Sequence, residues 1–251
     1  MRRATLASCV LLGGLALALA GPAFAAEVSV AVAANFTRPA REIAQAFQKQ
    51  TGDRAVLSFG ASGQIYAQAA HGAPYEVFLS ADAARPLKAE QAGFGVKGTR
   101  FTYALGRLVL FSRTPGLVDG TGAVLKAGRF RSLAIADPAT APYGAAAVQT
   151  LQRLGAWPVP PGKLVKGADI TQAYQFTATG AAELGFVALS QVANASGGSR
   201  WLAPEALHAP IAQQAILLAP GKADPAARAF LAFLKGPQAR AIIARYGYGI
   251  P

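Results

Sequence analysis

Four times along this chain an extended apolar segment stops at small or polar residues, and a helix-like pattern begins immediately. The four junctions are Ala33-Ala34-Asn35, Gly60-Ala61-Ser62-Gly63, Ala141-Pro142-Tyr143-Gly144 and Ala168-Asp169-Ile170. The first backbone N–H groups of a helix have no partner within the helix, so they form a ready site for an oxyanion. None of the four junctions contains an arginine or a lysine. The pattern therefore indicates an anion held by neutral dipoles and hydroxyls rather than by a salt bridge.

Strand-like and helix-like segments alternate throughout, which predicts an α/β fold with mainly parallel sheets and helices on both faces. The first unit shows the pattern. Glu27–Ala34 is rich in valine and alternates, and Phe36–Gln50 places Ala40, Ile43 and Phe47 on one helical face. In such sheets ligands bind beyond the carboxyl ends of the strands. All four junctions are of this kind, and no internal repeat or low-complexity linker separates them.

Residues 1–25 have the pattern of a secretory signal peptide. Arg2 and Arg3 precede an apolar stretch, Ala4–Ala20, and Ala23-Phe24-Ala25 has the form of a cleavage site. An uncleaved membrane anchor is the alternative, although the apolar core is near the lower length limit for a span. Cleavage after Ala25 or Ala26 removes Cys9, the only cysteine. We therefore expect an exported chain without disulfides, thiolate metal sites or a cysteine nucleophile.

The chain is strongly basic, with 24 basic and 12 acidic residues and a formal net charge of +12. Such a balance attracts anions, nucleic acid or membrane phospholipid, although a solvated basic surface has the same composition. The basic residues are scattered and do not interleave with aromatic residues as in single-strand binders. With no nucleic-acid motif present, we expect no nucleic-acid partner.

Sequence patterns for catalysis are sparse. His71 and His208 lie beside turns and have no partner at metal-ligand spacing. There is no G-x-S-x-G elbow and no P-loop lysine motif. Ser62 could be a nucleophile, but no His–acid pair lies near it in sequence. An exported serine hydrolase using Ser62 therefore remains an alternative.

The junctions carry a family likeness over essentially the whole chain after the signal segment. The chain resembles the periplasmic molybdate-binding proteins of ABC importers, which have the type II solute-binding fold. Each segment alone is a weak signal, and their order and spacing together carry the resemblance. The segments are Ala31-Val32-Ala33-Ala34-Asn35-Phe36-Thr37, Ser58-Phe59-Gly60-Ala61-Ser62-Gly63-Gln64, Ala73–Asp82, Ala136-Asp137-Pro138 through Pro142-Tyr143-Gly144, Leu184–Ser190, and Leu234–Gln238 through Tyr246-Gly247.

The resemblance implies four ligand contacts, Asn35 (with Ala34 beside it), Ser62, Tyr143 and the backbone of Ile170. Some members instead use a tyrosine at the position of Ala188, so this chain resembles the branch whose tyrosine is at 143. These residues would touch the metal of the anion only through its oxygens, and no cofactor is implied.

Each contact also has a reason in its own chemistry. Ser62 can donate its hydroxyl and its N–H, and Asn35 its side-chain amide and its N–H. Tyr143 offers a phenol that reaches across a cleft, and Ile170 offers only its N–H. The alternatives are ordinary structural roles, with Ser62 and Asn35 as helix caps, Tyr143 as a packed aromatic and Ile170 as a core residue.

The resemblance further implies two lobes joined by two crossings of the chain. We expect lobe 1 at 27–104 plus 214–251 and lobe 2 at 105–213, with a hinge near Leu105 and Gln214. The implied protein is a periplasmic monomer that binds molybdate or tungstate, closes around it, and delivers it to an ABC importer's membrane permease. The resemblance also implies that the protein is not an enzyme. Two alternatives remain open: a sulfate or phosphate binder of the same fold, for which Asp169 is the residue to check, and a ferric-iron site using Tyr143 with Tyr66 or Tyr174.

Overall fold

Two five-stranded sheets form the framework of residues 25–251, the part of the chain that the computed structural model describes. The predicted signal peptide, except for Ala25, lies outside these residues. The first sheet has the strand order β2-β1-β3-β10-β4, from β1 (Glu27–Ala33), β2 (Arg54–Gly60), β3 (Val77–Ser80), β4 (Phe101–Gly106) and β10 (Ile211–Leu217). The second has the order β7-β6-β8-β5-β9, from β5 (Leu108–Ser112), β6 (Leu133–Ala136), β7 (Leu164–Gly167), β8 (Leu184–Ala188) and β9 (Ser199–Leu202).

Both sheets are mixed and share one pattern. In the first, β1 pairs in parallel with β2 and β3, and in the second β6 pairs in parallel with β7 and β8. The other pairings are antiparallel, through β10 in the first sheet and β5 in the second. Parallel pairing therefore covers the strands that lead into the junctions. Antiparallel pairing occurs on the side where the chain passes from one sheet to the other.

Helices cover both faces of the sheets, as the alternating pattern predicts. The first lobe contains α1 (Thr37–Thr51), α2 (Ser62–Ala70), α3 (Ala84–Gln91), α8 (Pro225–Lys235) and α9 (Pro237–Arg245). The second contains α4 (Ala123–Ala127), α5 (Pro142–Arg153), α6 (Ile170–Thr179) and α7 (Leu189–Val192).

The main core of the first lobe lies between its sheet and helices α1, α8 and α9. The buried ring of Phe47 on α1 meets the ring of Phe230 on α8 edge to face, with centroids 5.3 Å apart. Burying one such side chain stabilises the fold by about 1.5–3 kcal/mol. Helix α2 packs on the opposite face, where Ile65 contacts Ala31 and Phe78 in a smaller cluster. The sheet is therefore held from both sides, and its strand ends are fixed in place.

The chain changes sheets twice. It leaves the first sheet after Gly106 and enters the second at Leu108, and it returns between Leu202 and Ile211. The lobe boundaries expected near Leu105 and Gln214 remain a prediction. Among residues 25–251, no helix is both long enough and apolar enough to cross a membrane.

Candidate functional site

Two matched pairs of strand ends position the site. In the first lobe Ala33 at the end of β1 is paired with Gly60 at the end of β2. In the second lobe Ala136 at the end of β6 is paired with Gly167 at the end of β7. The carboxyl ends of parallel strands lie at one edge of a sheet. The four junctions that follow these strands are therefore adjacent in pairs, one pair in each lobe.

The two pairs meet in one cavity between the lobes. Its volume is about 200 Å³, including the space open to solvent at its mouth. The structure thus brings Asn35, Ser62, Tyr143 and Ile170 together, with Ala34 beside them. The full lining is Ala33, Ala34, Asn35, Gly60, Ala61, Ser62, Ala81, Ala141, Pro142, Tyr143, Asp169 and Ile170. It contains no basic side chain and one carboxylate.

Three of the helix starts that line the cavity have no side-chain cap among the described residues. They are the 3₁₀ turn Ala34–Phe36 that leads into α1, helix α2 and helix α5. Uncapped N-terminal N–H groups need another acceptor, and the aligned peptide dipoles place partial positive charge at the same end. A bound anion would satisfy both requirements.

Ser62 is the first residue of α2 and is 1% exposed. The residue in the cap position is Ala61, so the alternative of Ser62 as a helix cap is not what the structure shows. Instead the Ser62 Oγ accepts a hydrogen bond from the N–H of Ala81 at 2.9 Å. Because the oxygen already accepts, the hydroxyl hydrogen remains to be donated.

Asn35 requires a correction to one expected donor. Its Nδ2 donates to Gln213 Oε1 and to Tyr248 Oη, both at 2.9 Å, so both amide hydrogens already have protein acceptors. The backbone carbonyl oxygen of Asn35 accepts from Tyr248 Oη at 2.8 Å and from Ser190 Oγ at 2.9 Å. The donor that Asn35 retains for a ligand is its backbone N–H, not its side-chain amide.

Tyr143 lies on the first turn of α5 and is 1% exposed. Its phenol oxygen accepts a hydrogen bond from Gln213 Nε2 at 3.2 Å. Burial, with smaller contributions from the nearby Tyr248 and Tyr103, raises the pKa of Tyr143 well above its ordinary value. The phenol therefore keeps its hydrogen at neutral pH and can act as a donor.

Ile170 begins α6, with its side chain in the core of the second lobe. Asp169 caps this helix, because one carboxylate oxygen, Oδ1, accepts from Thr171 N–H at 2.8 Å and Gln172 N–H at 2.9 Å. One oxygen of the only carboxylate in the lining is thus already engaged by the protein. The core role of the Ile170 side chain leaves its N–H as the group that could face a ligand.

The cavity is backed by a buried polar cluster that the sequence analysis did not identify. It consists of Gln213, Tyr103, Tyr248 and Ser190, all 6% exposed or less, and it is linked to Asn35 and Tyr143 by hydrogen bonds. One signal was available for Gln213: residues 211, 213, 215 and 217 share one parity along the strand, and the other three are apolar. A glutamine at a core position requires buried partners.

Hydrogen bonds join the two lobes around the cavity. Gly63 N–H of the first lobe donates to Thr140 O of the second at 2.8 Å, and Ser190 Oγ donates back to Asn35 O at 2.9 Å. Arg85, held by an ion pair with Asp82, donates to Ala139 O at 3.2 Å. The structure therefore shows the two lobes in contact on both sides of the site.

The side chains that a hydrolase or a ferric-iron site would need beside Ser62 or Tyr143 do not lie in this cavity. His71 and His208 each place Nδ1 against a backbone carbonyl, Ala67 O and Ala209 O, not against Ser62. Tyr66 packs on Phe94 and Tyr174 on Phe111, outside this cavity. No group of three or more His, Cys, Asp or Glu that could hold a metal ion occurs within residues 25–251.

Comparisons with known proteins agree with this architecture. Residues 28–249 match the family described as bacterial extracellular solute-binding protein. The chain is 56% identical over 235 residues to molybdate-binding protein ModA of Azotobacter vinelandii, covering 92% of this chain and 93% of that protein. It is 54% identical over 234 residues to ModA of Rhodobacter capsulatus, covering 93% and 92%.

A solved structure described as the Azotobacter vinelandii periplasmic molybdate-binding protein superposes with a TM-score of 0.86. The two are 44% identical, and the match covers 89% of this chain and 99% of the other. The expected two-lobed fold is therefore confirmed, as is the expectation that the chain is not an enzyme. On this sequence and structural similarity, the chain belongs to the bacterial extracellular solute-binding proteins.

Proposed function

We propose that this chain captures a fully ionised tetrahedral oxyanion, molybdate or tungstate, in the cavity between its lobes. The observation that supports it most is the convergence of four helix starts on a cavity with no basic side chain. Each helix N-terminus carries roughly half a positive charge, and three of the four starts are uncapped, so the cavity presents partial positive charge without a cationic side chain.

The proposed donors are all neutral. They are the Ser62 hydroxyl and N–H, the backbone N–H groups of Ala34, Asn35 and Ile170, and the Tyr143 phenol. The protein would contact the metal of the anion only through its oxygens. Hydrogen bonds to a charged acceptor contribute about 1.5–3 kcal/mol each. No cofactor takes part, because the anion is the cargo.

The donor set favours an anion without a proton over phosphate. A monoprotonated phosphate needs an acceptor in the site, and in the only lining carboxylate, Asp169, Oδ1 already accepts two backbone N–H groups, which leaves Oδ2 as the one carboxylate oxygen that could serve. Sulfate has the same charge and shape as molybdate but is smaller, so the donor types alone do not separate them. The molybdate-binding relatives at 56% and 54% identity favour molybdate.

We further infer export to the periplasm as a monomer and delivery of the anion to the membrane permease of an ABC importer. Closure would bring Tyr143 and Ile170 of lobe 2 onto an anion seated against Asn35 and Ser62 of lobe 1. Hinge closure of this type is established for periplasmic binding proteins. The hinge would lie where the chain changes sheets, beside Arg107 and within residues 203–210.

A panel of oxyanions tests the proposal. Thermal unfolding and calorimetric titration would be measured with molybdate, tungstate, sulfate and phosphate. A ligand at a hundred times its dissociation constant stabilises the folded state by about 2.7 kcal/mol. We expect large shifts for molybdate and tungstate and much smaller ones for the other two. Equal shifts for sulfate and molybdate would contradict the proposed selectivity.

A further inference from the structure

Gln213 occupies an unusual place for a polar residue. It lies on β10, the strand that returns the chain to the first sheet, at a β-bulge between Gln213 and Gln214. Its exposed fraction is 0%. A buried amide destabilises the folded state unless its hydrogen bonds are satisfied. The partners of Gln213 therefore determine how the amide is oriented and whether its burial is tolerated.

With the Asn35 amide as it is placed, the partners of Gln213 favour one orientation of its amide. Gln213 Oε1 accepts from Asn35 Nδ2 at 2.9 Å and from Tyr103 Oη at 3.0 Å, a hydroxyl that also lies 3.2 Å from Ser80 O. Its Nε2 is then directed at Tyr143 Oη, 3.2 Å away. Rotating the amide by 180° would place its N–H groups against the Asn35 N–H, where donor faces donor. The network therefore assigns the oxygen to the first lobe and the nitrogen to Tyr143.

This orientation constrains the hydrogen of Tyr143. The phenol oxygen receives the Gln213 N–H, so the phenol cannot donate to Gln213. The contact also depends on Gly106, because a Cβ at this position would lie 2.4 Å from Tyr143 Oη and 2.8 Å from Gln213 Nε2. Only glycine at 106 lets both groups occupy these positions. The phenol hydrogen is then directed to an acceptor other than Gln213, either the neighbouring Tyr248 oxygen or an anion in the cavity.

We propose that Gln213 is a positioning residue that makes Tyr143 a hydrogen-bond donor to the bound anion and links this donor to Asn35 of the opposite lobe. The inference rests on the proposed function of the cavity. Gln213 does not line the cavity, so it would act on the anion only through Tyr143. This gives it a signature that a merely structural residue lacks.

A double-mutant cycle tests the inference. Molybdate titration would be carried out on the wild type, Gln213→Met, Tyr143→Phe and the double variant. We expect Gln213→Met to weaken binding roughly tenfold, the effect of about one hydrogen bond. In the Tyr143→Phe background the same change should weaken binding less than about twofold, because the phenol that it positions is absent.

The matched control is Gln214→Met on the same strand. Gln214 bonds Arg100 at 2.8 Å and Thr102 at 3.1 Å, away from the cavity, so it should leave binding unchanged. Tyr103→Phe is the milder variant to use if Gln213→Met does not fold. It removes one of the two bonds that orient Gln213, and its weakening of binding, about two- to fourfold for part of one hydrogen bond, should also disappear without the Tyr143 phenol.

Three results separate the possibilities. A weakening present with Tyr143 and absent without it supports the inference. The same factor in both backgrounds, or no weakening at all, overturns it, because Gln213 would then act through the fold alone or not at all. If the wild type binds none of molybdate, tungstate, sulfate and phosphate, the proposed function itself fails, independently of Gln213.

Discussion

The hydroxyl oxygen of Ser62 accepts the backbone N–H of Ala81 at 2.9 Å, which leaves the hydroxyl hydrogen available to a ligand in the cavity between the lobes. Ser62→Ala removes both interactions. We expect molybdate binding to weaken by about 1.5–3 kcal/mol, and stability to fall by about 1–3 kcal/mol because the Ala81 N–H loses its acceptor. Calorimetric titration and denaturant unfolding measure the two effects separately.

Ser199 offers a matched control for this variant. Its Oγ also accepts a backbone N–H, that of Val118, at 2.9 Å, but it lies on β9 away from the cavity. Ser199→Ala should lower stability and leave binding intact. Unchanged affinity in Ser62→Ala would assign Ser62 a structural role only.

Tyr143→Phe keeps the ring packing of a buried residue and removes one donor. We expect oxyanion binding to weaken by about 1.5–3 kcal/mol with the fold intact. The open form should also gain population, since a contact that forms only on closure is lost. Titration would measure the affinity, and small-angle scattering at saturating molybdate would measure the population of the open form.

Tyr66→Phe is the control, because this ring packs against Phe94 instead. It should bind and close as the wild type does, and equal affinities of the two variants would contradict the role of Tyr143.

The convergence of the four junctions could be predicted from sequence because it depends on local pattern and on one rule of parallel sheets. Each junction is a strand end followed by a helix start, and ligands bind at the carboxyl ends of parallel strands. The pairing of Ala33 with Gly60 and of Ala136 with Gly167 follows the same rule. The two lobes also share a strand pattern that no sequence repeat indicates.

The use of side chains within the site was less predictable. Asn35 was expected to offer its amide to the ligand, but the amide is held by Gln213 and Tyr248, which are 178 and 213 residues away in the chain. Such partners are set by how the last strand and the C-terminal segment pack. No spacing in the sequence encodes that packing.

Alkaline pH should destabilise the protein through its buried phenols. Burial raises the pKa of Tyr248 to about 12, against about 10 in an unfolded chain. Below pH 10 both states hold the proton, so this contribution to stability is complete. As the pH rises from 10 through 12 the unfolded state loses its proton first, and about 3 kcal/mol of stability disappears. Denaturant unfolding between pH 8 and 12 should show a smaller loss in Tyr248→Phe; an identical loss would argue against this assignment.

Asp169→Asn tests whether the site needs a carboxylate. Asparagine caps a helix about as well as aspartate, so the bonds to Thr171 and Gln172 should survive and stability should change by less than about 1 kcal/mol. Removing a negative charge from the lining should leave molybdate affinity unchanged or tighter. Titration with molybdate and phosphate measures this. Loss of molybdate affinity, or selective loss of phosphate affinity, would show that the carboxylate takes part in recognition.

Gly144→Ala should disturb the site by displacing a helix start. A Cβ at this position would lie 2.2 Å from the backbone oxygen of Ala136 at the end of β6, so α5 must move away from its sheet. Overpacking of this kind costs roughly 1–3 kcal/mol, and we expect the upper end because backbone yields less than a side chain. Since Tyr143 is the preceding residue, molybdate binding should weaken as well.

Gly120→Ala is the matched control, because a Cβ there meets no atom within 4 Å. It should change neither stability nor molybdate binding. Thermal unfolding with and without molybdate decides the outcome: a stable Gly144→Ala variant with normal binding would show that the position of α5 against β6 is not needed for the site.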